Sequence, residues 1–189
     1  MMSLPFRRSR RDPKIDALYG TIVAQARSPE FYRGYGVPDT VAGRLDMIVL
    51  HLVLALRRLS AAKDGAPPVG QALFDRFCRD IDDNFREMGV GDLAVPKEMR
   101  RVAEGFYGRA GAYERALADD GAQALEATVG RNVFGTADPC LGARRLAAYM
   151  RQAARRLDRQ DTAALARGVI EFPDPETIAP PNPQAGSEP

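Results

Sequence analysis

Apolar residues recur along this chain at intervals of three and four positions, which is the spacing of one face of an α-helix. Asp12 and Pro13 mark a first helix start, because aspartate can accept hydrogen bonds from the free backbone N–H groups and proline tolerates the first turn. The apolar face of this helix consists of Ile15, Leu18, Tyr19, Ile22, Val23 and Ala26. Ser28 and Pro29 repeat the start signal for a short helical turn.

The same spacing continues along the chain and predicts an all-α fold, a single compact bundle of about six to eight helices. No alternating apolar and polar run is long enough to predict a β-sheet. One further helix is predicted between the Gly-Pro-rich loop 65–68 and Gly89, with Met88 as the last residue of its apolar face. The other predicted helices span residues 41–59, 96–117, 122–133, 141–157 and 161–167.

The predicted helix 41–59 is apolar on nearly every side. Its main stripe consists of Val41, Leu45, Ile48, Val49, Leu52, Leu56 and Leu59, and the other sides carry Met47, Leu50, Val53 and Leu54. A helix that is apolar all round is buried on several sides. Two interpretations follow: this helix is the centre of the bundle, or it lends one side to a partner.

The composition is that of a globular protein, with 45% hydrophobic and 28% charged residues in 189. The net charge of +2 gives no whole-molecule attraction to nucleic acid, and DNA is not an expected partner. The longest apolar stretch, joined through His51, is about ten residues, half of what a membrane-spanning helix needs. With no secretory signal, the expected location is the cytoplasm, with peripheral contact at the inner membrane as an alternative.

The two ends of the chain differ in charge from its middle. We divide the sequence into a flexible basic arm (1–12), a helical domain (13–170) and an extended or disordered, acidic, Pro-rich tail (171–189). The first 14 residues carry five basic side chains and one acidic, whereas the tail carries four acidic side chains and no basic one. The arm is either a solvated end or a contact to an anionic surface such as lipid headgroups or ribosomal RNA.

The candidates for chemistry are few. His51 is the only histidine, and dinuclear carboxylate bundles and zincins need more than one, so no metal or other cofactor and no catalytic site is expected. A histidine inside an apolar helix is typically a satisfied core polar group; a polar contact point or an axial haem ligand is the alternative. The acidic residues from Asp75 to Glu87 resemble a metal cluster, but arginines follow them at i,i+4 spacing. We therefore interpret them as surface ion pairs, each contributing ~0.2–0.5 kcal/mol.

Glycines at Gly105, Gly108 and Gly111 interrupt a predicted helix at a cost of about 1 kcal/mol each relative to alanine. Such a cost predicts that another backbone packs closely on that face. The backbone belongs either to a neighbouring helix of the same domain or to a partner protein. The four arginine pairs beginning at residues 57, 100, 144 and 155 are interpreted as solvated faces.

Specific strings carry more information than periodicity. They are Phe31-Tyr32, Gly36-Val37-Pro38-Asp39-Thr40, Gly43-Arg44-Leu45-Asp46-Met47-Ile48, Leu50-His51-Leu52, Leu56-Arg57-Arg58-Leu59, Gly70-Gln71-Ala72-Leu73-Phe74-Asp75, Asp82-Asp83-Asn84 and Arg86-Glu87-Met88-Gly89-Val90-Gly91-Asp92. Together they resemble the ubiquinol–cytochrome c chaperone family, whose mitochondrial members assist the synthesis and assembly of cytochrome b. The resemblance runs from about residue 13 to 155 and is greatest to bacterial members.

This resemblance implies an all-α bundle that binds newly made cytochrome b and supports assembly of ubiquinol–cytochrome c reductase without catalysis. It also implies a small partner subunit and work near the ribosomal exit. A general helical adaptor at the membrane surface and a haem-binding or other small-molecule-binding helical protein are the alternatives. The predicted partner-facing or framework positions are Tyr32, Asp39, Asp46, His51, Arg57, Asp75 and Asp82 from the strings, with Gly105 and Gly108 from the glycine face.

Overall fold

The computed structural model of the chain describes residues 12–61, 67–136, 138 and 140–179. Within them the protein is all-helical, with eight α-helices, as the periodicity predicted. Their bounds are α1 Pro13–Ala26, α2 Pro29–Arg33, α3 Val41–Ser60, α4 Pro67–Glu87, α5 Val95–Ala118, α6 Ala122–Val129, α7 Leu141–Asp158 and α8 Thr162–Ala166. A π-helical turn, Gly130–Phe134, extends α6, and Pro175–Thr177 forms a 3₁₀ turn. Most of the predicted basic arm and the end of the predicted tail lie outside the described residues.

The first helices begin where the sequence signals them. The Asp12 carboxylate accepts a hydrogen bond from the backbone N–H of Lys14 (3.0 Å). The Thr40 hydroxyl accepts one from Gly43 N–H (3.1 Å) and so caps α3. Both bonds satisfy a backbone donor that the helix itself leaves free. Ser28 precedes α2 without such a side-chain bond, and this helix is held by Pro29 and by packing.

The central position of α3 is confirmed. It contacts α1, α4, α5 and α7, and every residue from Met47 to Ala55 is buried. The interpretation as a core helix therefore holds, and only one side of its second half, with Val53, Leu56, Leu59 and Ser60, lines a surface groove. Among the described residues, no helix combines the length and apolarity needed to cross a membrane.

Three packing details differ from the expectations. Met88 was expected on the inner face of α4 but is 61% exposed, because the helix ends at Glu87 and the chain turns away. Arg58 does not lie on a solvated face: its guanidinium donates to the backbone carbonyls of Leu157 and Gln160. Arg145 is likewise largely buried and stacks over the ring of Tyr35, 4.1 Å from its centroid.

Residues 171–179 pack along α7 and α1, although the predicted division placed them in the tail. Ile178 is buried, and its carbonyl accepts a hydrogen bond from Arg145 (3.1 Å). The Tyr35 hydroxyl donates to the carbonyl of Pro175 (2.8 Å), and Phe172 packs against the core. The segment covers the bundle and includes the 3₁₀ turn Pro175–Thr177. We call residues 171–179 the strap.

Candidate functional site

An open apolar groove runs between the second half of α3, the first half of α4 and the middle of α5. It consists of two adjoining depressions of about 400 and 300 Å³, both lined by Leu56, Ser60, Phe106 and Tyr107. The first is completed by Leu59, Gly70, Gln71 and Phe74, and the second by Val53, Ala110, Gly111 and Glu114. Of these described lining residues, Glu114 alone carries a charge. We call this surface the α3–α5 groove.

Aromatic rings form one wall of the α3–α5 groove. The ring centroid of Phe74 lies 4.8 Å from that of Phe106 and 5.6 Å from that of Tyr107. Tyr107 is 63% exposed, which is unusual for a large aromatic side chain outside a binding surface. Tyr107 was not among the predicted site residues. The available signal was an aromatic residue outside the core stripe of its helix and beside the glycines.

The structure corrects one interpretation of the glycine face. No backbone of the described chain packs against Gly108: an added Cβ there would meet no atom within 4 Å. An added Cβ at Gly105 would instead lie 3.3 Å from the Arg109 guanidinium, and one at Gly111 would lie 3.3 Å from that of Arg115. The expectation of a neighbouring helix of the same domain is therefore wrong. Gly105 leaves room for an arginine one turn later, and Gly111 lines the α3–α5 groove.

Gly105 and Asp46, both predicted site residues, are connected through Arg109. The Arg109 guanidinium contacts the Asp46 carboxylate at 2.8 Å, joining α5 to α3. Burial nonetheless raises the pKa of Asp46, and the charge of Arg109 only partly opposes this effect. The hydroxyl of Tyr113, on the same helix, is buried with no hydrogen-bond partner among the described residues. The Arg109–Asp46 ion pair thus holds α5 against α3, and Asp46 itself is mostly buried.

His51 is fully buried and is hydrogen-bonded at both ring nitrogens. Nδ1 lies 2.8 Å from the carbonyl oxygen of Met47, which can only accept, so this nitrogen carries the proton. Nε2 then accepts from the Tyr149 hydroxyl at 2.8 Å, and the Gln25 amide donates to the same hydroxyl at 3.0 Å. The remaining N–H of Gln25 donates to the carbonyl of Pro173 in the strap (3.0 Å). The network links α1, α3, α7 and the strap.

This geometry favours the structural interpretation of His51 over the ligand interpretation. Burial lowers its pKa to about 4, so the ring is neutral at physiological pH. Aromatic rings surround it, with Phe31 at 5.4 Å and Phe172 at 5.1 Å between centroids. An axial bond to haem would require one nitrogen to lose its protein partner. His51 therefore holds the bundle together and is not a site open to solvent.

Tyr32 and Asp39 lie together near the start of α3. The Tyr32 hydroxyl donates to the carbonyl of Ala26 (2.8 Å), and Arg44 lies over its ring at 5.8 Å. The hydrogen bond from Arg44 (2.7 Å) lowers the pKa of Asp39. These residues line a small polar depression of about 210 Å³ on the surface. The arrangement fixes the α2–α3 connection and leaves a polar edge exposed.

The remaining predicted positions are separated from these. Arg57 forms a two-pronged ion pair with Asp158, with the shortest contact at 3.0 Å. Asp75 accepts from the Gln71 amide (2.8 Å), and Asp82 pairs with Arg86 (2.7 Å). The predicted residues thus fall into several clusters and do not form one site.

The acidic stretch of α4 behaves as interpreted only in part. The i,i+4 pairs expected there are Asp75–Arg79, Arg76–Asp80, Arg79–Asp83 and Asp82–Arg86. Of these, Arg76–Asp80 (3.3 Å) and Asp82–Arg86 form. Arg76 also reaches Asp16 on α1 at 2.8 Å, so part of this charge joins two helices. Among the described residues, no group of three or more histidine, cysteine, aspartate or glutamate side chains is placed to hold a metal ion.

Comparison with known proteins identifies the family. A sequence profile described as ubiquinol–cytochrome C chaperone matches residues 33–172, well over half of the chain. The chain belongs to the ubiquinol–cytochrome c chaperone family. The crystal structure of the Cbp3 homologue from Brucella abortus is similar, with 38% sequence identity, a TM-score of 0.80, and coverage of 88% of this chain and 92% of that one. No curated protein matches. The resemblance inferred from the sequence strings is confirmed.

Membership of the ubiquinol–cytochrome c chaperone family indicates a chaperone role in assembling the reductase. The family match covers α3, α4 and α5, which line the α3–α5 groove, and α7, which carries Tyr149; the network residues Gln25 and Pro173 lie outside the matched range.

Proposed function

We propose that this chaperone binds newly made cytochrome b and holds it during assembly of ubiquinol–cytochrome c reductase, without catalysing a reaction. The open α3–α5 groove carries the proposal. An apolar groove between helices is a typical docking surface for an apolar or amphipathic helix. Newly made membrane subunits present such helices before they are packed.

The lining of the α3–α5 groove suits a helical client. Gly70, Ala110 and Gly111 are small and allow the backbone of an added helix to approach closely. Phe74 and Tyr107 provide aromatic surface for its side chains. The exposed ring of Tyr107 provides the largest single gain in buried apolar area when a client binds. This lining provides apolar contact area for a client helix and does not require one particular sequence in that helix.

The test is isolation of the tagged protein from detergent extracts of cells that make the reductase, followed by detection of pulse-labelled cytochrome b. Wild-type protein and Tyr107→Phe should retain cytochrome b, and Tyr107→Glu should lose most of it, because a charge would be buried against the client. Leu93→Glu is the matched control, since Leu93 is 99% exposed outside the groove.

Equal recovery of cytochrome b with Tyr107→Glu and with the wild type would contradict the groove assignment. Failure of the wild type to recover cytochrome b at all would contradict the proposed client. The same isolation reports whether a small partner subunit accompanies the chaperone, as the family resemblance predicts.

A further inference from the structure

One end of the bundle gathers the C-terminal ends of α3 and α7, the start of α1, and α8. Arg58 donates to the carbonyl of Leu157 at 2.9 Å and to the Thr162 hydroxyl at 2.8 Å, which places these helix ends together. The backbone of Lys14 lies against Gly168, where an added Cβ would come within 2.8 Å of the Lys14 carbonyl oxygen. The start of α1 therefore lies beside the chain that follows α8.

Exposed arginines concentrate on this end. The second half of α7 and the residue after it carry Arg151, Arg155, Arg156 and Arg159 and one aspartate, Asp158, which is paired with Arg57. Arg155, Arg159 and Arg167 are exposed, and within the described part of the chain none of them has an acidic group at ion-pair distance. Arg155 and Arg159 border a depression of about 550 Å³. Their positive charge is therefore available to an anion outside the molecule.

An apolar side chain lies next to these arginines. Val169 is 52% exposed and follows Arg167 by two positions. Glu171, two positions further, pairs with Arg156, and its backbone N–H donates to the side chain of Gln160 at the same end. An aliphatic group within a basic surface fits the boundary between lipid headgroups and acyl chains. It offers nothing to a nucleic-acid base, which is recognised by stacking on aromatic rings or guanidinium planes.

We propose that Arg155, Arg159, Arg167 and Val169, here called the basic end, bind the surface of an anionic phospholipid bilayer. Each arginine near such a surface is attracted by the negatively charged lipid headgroups, and the contributions of neighbouring arginines add up. Four more arginines, Arg7, Arg8, Arg10 and Arg11, precede α1 in the sequence. This proposal names a second partner of the same chaperone and does not require its client to be cytochrome b.

The basic end also orients the proposed client surface. Leu59 and Ser60, at the end of α3, line the α3–α5 groove one turn from Arg57 and Arg58. Docking through the basic end would therefore bring the mouth of the groove close to the membrane, where a membrane subunit emerges. This position explains how a chain without a spanning helix among its described residues could serve a membrane client.

The test is flotation of the full-length protein with vesicles of phosphatidylcholine alone or with 30% phosphatidylglycerol, at low and at physiological salt. We expect binding only to the anionic vesicles, weakened by salt. The triple variant Arg155→Gln, Arg159→Gln, Arg167→Gln should bind ~10-fold or more weakly. Val169→Asp should also weaken binding several-fold. The control removes equal charge elsewhere, as Arg33→Gln, Lys97→Gln, Arg100→Gln on α2 and α5, and should retain binding.

An equal loss of vesicle binding in the control triple variant would overturn the assignment of this end. Binding would then depend on the total charge of the protein and not on the position of the arginines. Tighter binding to a single-stranded RNA than to the anionic vesicles, unaffected by Val169→Asp, would overturn lipid as the partner. Circular dichroism confirms that each variant is folded. The isolation of cytochrome b is done in detergent extracts, where no bilayer is present. Its result therefore does not depend on membrane binding, and the client proposal and the membrane proposal can fail independently.

Discussion

At the scale of single residues, the His51 network has the greatest energetic consequence. Both ring nitrogens, the Tyr149 hydroxyl and the Gln25 amide are satisfied only by one another and by backbone carbonyls. A buried polar group that loses its partner keeps the full cost of desolvation. The network therefore stabilises one arrangement of α1, α3, α7 and the strap. Removing one of its members is expected to destabilise the protein, because the remaining members lose their hydrogen-bond partners.

The first prediction concerns pH. The pKa of His51 is about 4 in the folded protein and about 6.5 in the unfolded chain, so between these values only the unfolded state takes up a proton. Stability from this residue is complete above pH 6.5 and is lost as pH falls toward 4. Between pH 7.5 and 4.5 the free energy of unfolding should fall by about 2–3 kcal/mol more in the wild type than in His51→Gln. Urea unfolding at the two pH values measures this, and equal losses would contradict it.

The second prediction concerns Tyr149. Tyr149→Phe removes the hydroxyl that joins His51 to Gln25, and it leaves the buried Nε2 of His51 and one N–H of the half-buried Gln25 amide without that partner. We expect a loss of about 1–3 kcal/mol in the free energy of unfolding at neutral pH. Tyr107→Phe removes a hydroxyl on an exposed ring and should change stability by less than ~0.5 kcal/mol. Similar values for both variants would show that the network contributes nothing specific.

Local sequence patterns indicated the environment of these residues but not their partners. A histidine within an apolar helix predicted a satisfied core group, and the structure confirms it. Its partner Tyr149 is 98 positions away, and no local spacing could identify that contact. The role of Gly105 was also hidden, because it depends on the path of the Arg109 side chain toward Asp46.

At the scale of helices, the residues that precede α2 and α3 differ in how much they contribute to the stability of the fold. The Thr40 hydroxyl makes a capping bond at the start of α3, whereas Ser28 makes none at the start of α2. We expect Thr40→Ala to lower the free energy of unfolding by about 1 kcal/mol and Ser28→Ala to have little effect. Thermal or urea unfolding of the two variants provides the measurement. The reverse order would contradict the assigned caps.

The strap provides the second prediction at this scale. A chain ending at residue 170 loses the buried Ile178, the ring of Phe172 beside His51, and the carbonyl that Gln25 contacts. We expect it to unfold several kcal/mol more easily than the wild type, since burying each such side chain contributes about 1.5–3 kcal/mol. A chain ending at residue 179 is the control. If both truncations unfold alike, the strap does not stabilise the bundle.

Helix positions were largely predictable, because α1 and α3 carry clear apolar stripes. The strap was harder to place. Its prolines and acidic residues are typical of an unstructured tail, and its packing depends on the distant Tyr35 and Arg145. The glycines of α5 predicted that another backbone packs closely against this face. Within the described chain no backbone does so at Gly108, where an added Cβ would meet no atom within 4 Å.

At the scale of the whole molecule, a rigid bundle carries two exposed surfaces of different chemistry. The α3–α5 groove is apolar and nearly uncharged, and the basic end is cationic and lies where α3 terminates. The helices between them are held by buried networks and by ion pairs such as Arg57–Asp158. This division suits a chaperone that holds a membrane subunit without altering it chemically.

The most direct test of this account is the level of assembled ubiquinol–cytochrome c reductase in cells that lack the protein. Cytochrome b is measured by the reduced-minus-oxidised spectrum of membranes, together with reductase activity. We predict that both fall strongly in the deletion strain and are restored by the wild type and by Leu93→Glu, but not by Tyr107→Glu. Normal cytochrome b and normal reductase in the deletion strain would contradict the account.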